Sequence, residues 1–339
     1  MKNKNRIWIC SVVAFGGLLL LTNSCKKDNI PMLTTSAIHV ITSNMASCGG
    51  IIISDSDIAS RGVCWSTHTN PTITDRKTKD GEGTGIFTSA IDGLTANTTY
   101  FVRAYATNSG GTGYGNELIF KTYLSTITDI DGNVYYTITV GNQEWMAENL
   151  KTTRYRNGNL IPNVTDNTQW RNLTIGAQCY YKNDANIGNI YGKLYNWYAV
   201  NDSRNIAPDG WHVPTIAEFK ILNNYLIANG YNYDGTKTEN KCAKAIAATV
   251  DWSYSTTEGA IGNYLAQNNT SGLTALPGGC RDRDGMFVGF GKYSNWWSYA
   301  TDIPSSGYGS EFELWYDHSK VFTLGYQLQD GLSVRCIKD

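Results

Sequence analysis

The chain has 339 residues, a net charge of −1 and only 17% charged residues, together with 34 glycines, 22 tyrosines and 10 tryptophans. This length exceeds what one small hydrophobic core usually organises, so we expect two domains. Abundant aromatic residues and glycines are typical of a β-rich exported protein, and the balanced charge excludes the strongly basic surface of a nucleic-acid-binding protein.

The N-terminus has the layout of an export signal. Basic residues within 2–6 precede an apolar stretch, 7–21, that is too short for a comfortable permanent span. A small residue then stands directly before Cys25. This ending resembles the lipobox of bacterial lipoproteins, which implies that residues 1–24 are a signal peptide, that Cys25 carries lipid and that residues 25–32 form a lipidated tether.

The alternative is an ordinary secretory signal with an incidental cysteine. A lipidated Cys25 would carry two acyl chains, which give stable anchoring, so the membrane would be the first partner of the protein. Because Lys26 rather than Asp follows Cys25, the resemblance to lipoproteins implies an outer-membrane location in the cell envelope, on either its periplasmic or its outer face.

Residues 33–123 consist of short alternating apolar runs between turn-forming residues, which predicts an all-β, immunoglobulin-like sandwich. Leu94 and Tyr100 have the spacing of a tyrosine corner, in which the phenol hydroxyl bonds to backbone upstream. The predicted strands are Ala37–Ile41, Ala46–Ile53, Gly62–Ser66, Phe87–Ile91, Thr99–Thr107 and Tyr114–Thr122.

Two phrases in this region, Arg-Gly-Val-Cys-Trp-Ser at 61–66 and Arg-Ala-Tyr-Ala-Thr-Asn at 103–108, resemble fibronectin type III-like modules of bacterial surface proteins. The resemblance covers roughly 90 residues, the size of one small domain, and implies a spacer. Cys48 and Cys64 would lie on successive strands of facing sheets. They are therefore a candidate disulfide pair, which export permits.

The remaining residues, 124–339, have a mixed pattern. A polar linker crossed by few contacts is predicted over Thr122–Thr128. A capping box at Thr215 and Glu218 begins a helix with an apolar stripe, and Thr238–Ala248 is predicted to be a second helix. Strands before and after these helices predict an α+β domain.

Several phrases of this second domain strongly resemble the Fibrobacter succinogenes major paralogous domain family. They run in family order from about Ile127 to the last residue, but Ala207-Pro208 stands where many members have Cys-Pro. The matching phrases are 128–133 (Thr-Asp-Ile-Asp-Gly-Asn), 143–150 (Gln-Glu-Trp-Met-Ala-Glu-Asn-Leu), 195–200 (Tyr-Asn-Trp-Tyr-Ala-Val), 210–215 (Gly-Trp-His-Val-Pro-Thr), 276–279 (Leu-Pro-Gly-Gly) and 333–336 (Ser-Val-Arg-Cys).

Residues 211–215 with their helix, and the terminal strand at 334–336, are also similar to the C-type lectin-like fold of sulfatase-modifying factor domains. This second resemblance implies a C-type lectin-like fold by analogy. In that arrangement the strands that carry Cys280 and Cys336 are neighbours, so these two residues form a second candidate disulfide pair. No cysteine pair has the CxxC spacing of a zinc site, and we expect no metal and no cofactor.

Two groups of residues are candidates for ligand binding. Trp296 and Trp297 are adjacent on an extended segment and point to opposite faces, so one of them could be exposed for stacking on a sugar, with core packing as the alternative. Glu311 and Glu313, with Asp317, could line a lectin-type calcium site. The lectin signatures are missing, however, and a solvated strand face explains the two glutamates equally well.

We therefore expect a non-enzymatic envelope lipoprotein with no catalytic residues, in which a recognition domain binds glycan (polysaccharide) or protein and a fibronectin-like domain serves as spacer. One alternative is a structural component of an envelope or surface assembly. The other is an enzyme or modifying factor related to sulfatase-modifying domains, which would require reactive cysteines or a bound metal.

Overall fold

The computed structural model describes residues 29–53, 57–300 and 307–339. The proposed lipidation site, Cys25, lies outside these residues. No helix in the described part of the chain is both long and apolar enough to cross a membrane.

The N-terminal domain is a sandwich of two antiparallel sheets. Its strands are β1 (Leu33–Thr35), β2 (Ala46–Ile52), β3 (Ser60–Ser66), β4 (Arg76–Lys77), β5 (Gly85–Ile91), β6 (Thr99–Asn108), β7 (Gly111–Tyr114) and β8 (Leu118–Lys121). One sheet has the order β1-β2-β5, and the other has the order β4-β3-β6-β7, with β8 also paired to β6. This is the fibronectin type III-like arrangement that the sequence predicted.

The tyrosine corner is confirmed, because the backbone N–H of Thr95 donates to the hydroxyl of Tyr100 at 3.0 Å. The predicted strand at Ala37–Ile41 is wrong: the first strand is β1, and His39 makes only an isolated bridge to Ser47. The predicted final strand is divided into β7 and β8, which pair with different parts of β6.

The Cys48–Cys64 disulfide prediction is wrong. Both thiols are free and buried. Cys48 packs in the apolar core of the sandwich with Val63 and Trp65. Because side chains alternate along a strand, Cys64 points to the opposite face of β3, where its thiol donates to the carbonyl oxygen of Pro71 at 3.4 Å.

The C-terminal domain is mostly β-sheet and loop. Its elements are β9 (Thr126–Thr128), β10 (Val134–Val140), β11 (Gln143–Met146), α1 (Asn167–Arg171), β12 (Gln178–Cys179), α2 (Ala185–Tyr191), β13 (Leu194–Tyr195), α3 (Trp197–Val200), β14 (Trp211–His212), α4 (Ile216–Ala228), α5 (Ala243–Ile246), β15 (Cys280–Arg281), β16 (Phe287–Val288), β17 (Tyr293–Trp297), β18 (Tyr308–Trp315), β19 (Val321–Gln327) and β20 (Ile337–Lys338), with 3-10 turns at Tyr181–Asn183 and Leu265–Gln267.

Two main sheets organise this domain. One has the order β14-β20-β11-β10-β9 and the other has the order β17-β18-β19. The predicted capping box is confirmed at the start of α4, which buries Phe219, Leu222 and Leu226 against the core. The second predicted helix, Thr238–Ala248, is wrong in extent, since only the single turn α5 forms there.

The two domains are joined by a buried junction rather than a polar linker. Thr122 and Tyr123 are buried, and the Tyr123 hydroxyl lies 3.2 Å from Oγ1 of Thr274. Ile41 of the sandwich packs against the cores of both domains. The expected contact-poor linker over 122–128 is therefore wrong, because its first residues are part of a continuous interface.

Candidate functional site

The adjacent tryptophans of β17 are both buried, with 1% and 0% of their surface exposed. Trp296 packs in one core cluster, where its Nε1 donates to Oδ1 of Asn149 at 3.0 Å. Trp297 packs in a second cluster, where its Nε1 donates to the carbonyl oxygen of Tyr195 at 2.7 Å. The two rings do point to opposite faces, but both faces of β17 are covered. The expectation of an exposed stacking ring in this pair is wrong.

Glu311 and Glu313 of β18 are also buried, with 0% and 1% exposed. The explanation of these residues as a solvated strand face is therefore wrong. Asp317, the third acid of the expected calcium site, instead lies 2.8 Å from Nδ1 of His318. Within the described residues, no group of three or more His, Cys, Asp or Glu side chains is placed to hold a metal ion.

The second disulfide prediction, Cys280–Cys336, is wrong as well. Both thiols are free and buried in the same core cluster. Cys280 belongs to the β15–β16 ladder, whereas Cys336 precedes β20, and its carbonyl accepts from the backbone of Met146. The two strands are thus engaged with different partners, which leaves the sulfurs unbonded.

One open surface that the structure brings together is a groove between the domains, of about 490 Å³. We call it the interdomain groove. Phe101 and Glu117 of the sandwich line one side of it, and the loop after α4 lines the other with Tyr231 and Tyr233. Asn229, Asn232, Lys244 and Gln267 also line it.

The loop that carries both tyrosines is fixed by its own side chains. Asn232 is buried; its Nδ2 donates to the carbonyl of Thr238 at 2.9 Å, and its Oδ1 accepts from the backbone of Lys241 at 3.0 Å. The ring of Tyr233 packs on Gly259, where a Cβ atom would stand 2.2 Å from the ring. The groove wall is therefore preformed.

Lys244 is the buried cation of this groove. Its ammonium donates to backbone carbonyls, among them that of Ala260 at 3.3 Å, and burial lowers its pKa to about 8. It has no carboxylate partner among the described residues. The groove thus combines aromatic faces with amide and hydroxyl groups, and the described lining includes no serine, cysteine or histidine.

Outside the groove, the ring of His212 is held between two carboxylates. His212 follows Trp211 in β14, and its two ring nitrogens lie 2.7 Å from Asp339 and 2.8 Å from Glu218. Burial by itself would lower the pKa of His212, but the hydrogen bonds to the two carboxylates raise it overall. The ring joins the capping box of α4 to the last residue of the chain.

Sequence reasoning missed the interdomain groove. One wall could have been identified from the run Tyr231-Asn232-Tyr233. Large aromatic side chains in a polar loop are not part of an apolar strand or helix face, so they are candidates for a surface site. The opposite wall comes from β6, about 130 residues earlier in the chain, and no local pattern records that juxtaposition.

The motifs that resemble one family converge in the five-stranded sheet. The terminal strand β20 lies between β11 and β14, with Ile337 paired to both Trp145 and His212. A family model described as the Fibrobacter succinogenes major domain matches residues 138–338. The chain belongs to this family. We refer to the C-terminal domain as the major domain from here on.

Solved structures similar to this chain cover its N-terminal region. The FN1–FN3 domains of chicken CNTN1 are 15% identical, with a TM-score of 0.23, over 28% of this chain and 32% of that chain. The third fibronectin III domain of the human KIAA0343 protein is 15% identical, with a TM-score of 0.22, over 28% of this chain and 84% of that chain.

The sensor domain of the anti-sigma factor RsgI4 of Pseudobacteroides cellulosolvens is 15% identical, with a TM-score of 0.23, over 28% of this chain and 76% of that chain. The match therefore spans about a third of the chicken structure but most of the two single-domain structures. No curated protein sequence matches this chain significantly.

Proposed function

We propose that this protein is an envelope lipoprotein whose interdomain groove binds a glycan without catalysing a reaction. The observation that carries the proposal is the groove itself, a preformed concavity of about 490 Å³ with aromatic and amide side chains at the junction of two domains. Ligand sites favour such junctions and such volumes. Trp296 and Trp297, the glycan-binding candidates from the sequence, are both buried. We therefore assign glycan binding to Tyr231 and Tyr233, of which Tyr233 is exposed.

The chemistry of the lining favours a neutral, hydroxyl-rich ligand. Phenol rings offer an apolar face and a polar edge, so they can stack on a sugar ring and also hydrogen-bond to it. Asn229 and Gln267 are exposed amides that can both donate and accept. A polyanion would meet no cluster of cations in the groove, because Lys244 is buried and engaged with backbone carbonyls.

The state of the cysteines supports a non-catalytic function. A reactive cysteine requires a low pKa and access to solvent, whereas all six described cysteines are buried. Burial raises the pKa of the Cys48 and Cys242 thiols to about 12 and that of Cys64 and Cys179 to about 11. We therefore infer that these thiols serve packing and not nucleophilic catalysis.

The surface around the first described residues supports the proposed lipid anchor. Asn29 follows Cys25 by four residues, which span at most about 14 Å, and its carbonyl accepts from Nδ2 of Asn108 at 2.7 Å. Four exposed apolar side chains share the outer face of the nearby sheet, where Ile51 pairs with Ile86 and the backbone of Ile53 bonds to that of Met32. Such a patch marks a contact with membrane or protein.

For the major domain we propose a C-type lectin-like fold. The pairing of β20 with both β11 and β14 brings the chain end beside its early strands and beside the strand that precedes α4. Such pairing of the terminal strand is what the resemblance at residues 211–215 and 334–336 implies.

The decisive experiment measures glycan binding and thermal stability together on the mature chain in detergent. Tyr233→Ala should weaken binding to a polysaccharide from an envelope or plant-cell-wall panel by about tenfold or more, as expected for loss of an aromatic anchor. The variant should still unfold cooperatively, with only a small fall in melting temperature from the lost packing on Gly259. The matched control is Tyr254→Ala, because Tyr254 is 77% exposed and lies outside the groove. Absence of binding to the whole panel, or equal loss in both variants, would reject the glycan proposal.

Anchoring is tested separately by detergent-phase partitioning. Wild-type protein should enter the detergent phase and Cys25→Ala should not, or should remain unprocessed. If the wild type stays in the aqueous phase, the anchor proposal fails while the groove proposal stands. Retention of Cys25→Ala on envelope proteins rather than on lipid vesicles would favour a structural component of an assembly.

A further inference from the structure

Three buried polar side chains meet on one face of the β17–β18 ladder. Asn295 lies directly opposite Glu313, and Glu311 lies two residues along β18 on the same face. Each is at most 1% exposed. The carboxyl of Glu311 lies against the side chains of both Asn295 and Glu313.

Four oxygens of these side chains make no hydrogen bond of normal geometry among the described residues, although the Trp315 side chain approaches Glu313 and the Leu324 backbone approaches Glu311. They are both carboxyl oxygens of Glu311, Oε2 of Glu313 and Oδ1 of Asn295. Oε1 of Glu313 accepts from the Tyr326 hydroxyl at 3.2 Å, and the amide nitrogen of Asn295 lies 3.4 Å from the same hydroxyl. No ion pair in the described part of the chain involves either glutamate.

Such an arrangement is costly without compensation. An isolated carboxylate loses its hydration on burial, and a second like charge beside it adds repulsion. Buried polar groups without partners occur rarely in native proteins, and a bound ion is one physical reason for them.

We propose that Glu311, Glu313 and Asn295 hold a buried Ca²⁺ ion. One divalent cation would engage all four free oxygens at once and would neutralise both carboxylates. Calcium accepts carboxylate and amide oxygens in irregular sets of six to eight, and it tolerates bidentate carboxylates. Zinc and copper prefer imidazole and thiolate, which the four free acceptor atoms do not supply. Water would complete the coordination.

This site differs from the lectin-type site considered from the sequence. Asp317 is engaged with His318, and the third protein ligand is the amide of Asn295 on the neighbouring strand. Because the two strands are the ones that carry Trp297 and Phe312 into separate cores, the ion would hold together the central ladder of the major domain. Its role is structural, and it does not depend on the proposed glycan binding.

The test uses the full mature chain in detergent, refolded from urea in either Ca²⁺ or EDTA. After dialysis, metal analysis should find about one calcium per chain in the first sample, and the melting temperature should be several degrees higher with Ca²⁺ than with EDTA, since a ligand that binds only the folded state stabilises it. Glu311→Gln should lose the bound calcium and the calcium-dependent shift. Glu258→Gln, at an exposed glutamate of the same domain, should retain both.

A further variant protects the test against a misfolded glutamine mutant. Asn295→Asp adds a third carboxylate and should bind calcium at least as tightly as wild type, with a larger difference in melting temperature between Ca²⁺ and EDTA. Wild-type protein that contains no calcium and melts at the same temperature in both conditions would overturn the proposal. Preferential retention of Zn²⁺ over Ca²⁺ would also contradict it.

Discussion

The two domains bury different kinds of side chain. The sandwich core is apolar, and its backbone polar groups are satisfied by its two sheets. Among the described residues, every buried charged side chain belongs to the major domain: Asp129, Lys193, Lys244, Arg281, Glu311, Glu313, Asp330 and Arg335. The difference follows from secondary structure, because a domain of short strands and long loops has many backbone carbonyls that no ladder can satisfy.

Buried arginines take over that function in the major domain. Arg281 donates to the carbonyl oxygens of Val164, Thr165 and Gly285 at 2.6 to 3.0 Å, and Arg335 donates to those of Met146 and Leu273 at 3.0 and 2.7 Å. Each guanidinium thereby connects segments that are far apart in the chain. We therefore predict that replacing a polar side chain by an apolar one destabilises the major domain far more than a similar replacement destabilises the sandwich.

The largest effect is expected for Arg335→Leu. This change leaves the two carbonyls without this donor inside the core and removes one of the donors to Oδ1 of Asn149, which keeps its bond from Trp296. At about 1–3 kcal/mol for each unsatisfied carbonyl, the free energy of unfolding should fall by about 2–6 kcal/mol. Arg76→Leu is the matched control in the sandwich, because Arg76 is exposed and bonds to one carbonyl, that of Gly93. Urea denaturation measures both. Equal losses would break the comparison.

Tryptophan gives the next contrast. Trp297→Phe removes a donor from the carbonyl of Tyr195, whereas Nε1 of the buried Trp65 in the sandwich has no partner among the described residues. The Tyr195 carbonyl keeps its bond from the backbone N–H of Leu332, so the change removes one net hydrogen bond. Trp297→Phe should therefore destabilise by about 1–1.5 kcal/mol more than Trp65→Phe. Chemical denaturation of the two variants, monitored by far-UV circular dichroism, tests the difference. A larger loss for Trp65→Phe would contradict it.

Within the sandwich, the tyrosine corner should contribute a smaller amount. Tyr100→Phe removes the acceptor of the Thr95 N–H and should cost about 1 kcal/mol, the net value of one hydrogen bond. The exposed Tyr254 supplies the control through Tyr254→Phe, which should leave the urea midpoint unchanged. No measurable difference between these variants would mean that water replaces the corner bond.

The smallest effect is expected at His212, whose side chain is partly exposed. Because the hydrogen bonds to Asp339 and Glu218 raise its pKa in the folded state, it stabilises the fold fully below the unfolded pKa, near 6.5. That contribution is lost as the pH rises through the folded value. His212→Gln should therefore lower the urea midpoint more at pH 5.5 than at pH 8, and equal losses at the two pH values would contradict this expectation.

The sequence allowed the sandwich to be predicted closely because alternation reports which side of a strand is buried, and in a two-layer fold only one side is. The capping box of α4 was equally readable, since its two residues satisfy each other locally. For β17 and β18, the alternation of side chains along the strand led to wrong predictions of which residues are exposed. There both faces are covered, so Trp296 and Trp297 are both buried, and Glu311 and Glu313 lie in the interior despite their charge.

The interdomain groove was missed, and the two disulfide predictions were wrong, for a different reason. Each depends on which distant segments meet, and the chain contains no local record of that pairing. The walls of the interdomain groove come from Phe101 and Tyr233, and the separation of Cys280 from Cys336 depends on which ladder each strand joins.

The shared contact of Ile41 with both cores also has a mechanical consequence. A string of domains on flexible linkers extends under tension, and each linker absorbs the pull before a domain is loaded. With the anchoring and the groove binding proposed above, a force between the membrane end and a ligand would act directly on packed side chains at the junction. We therefore expect the two domains to respond to tension as one rigid unit.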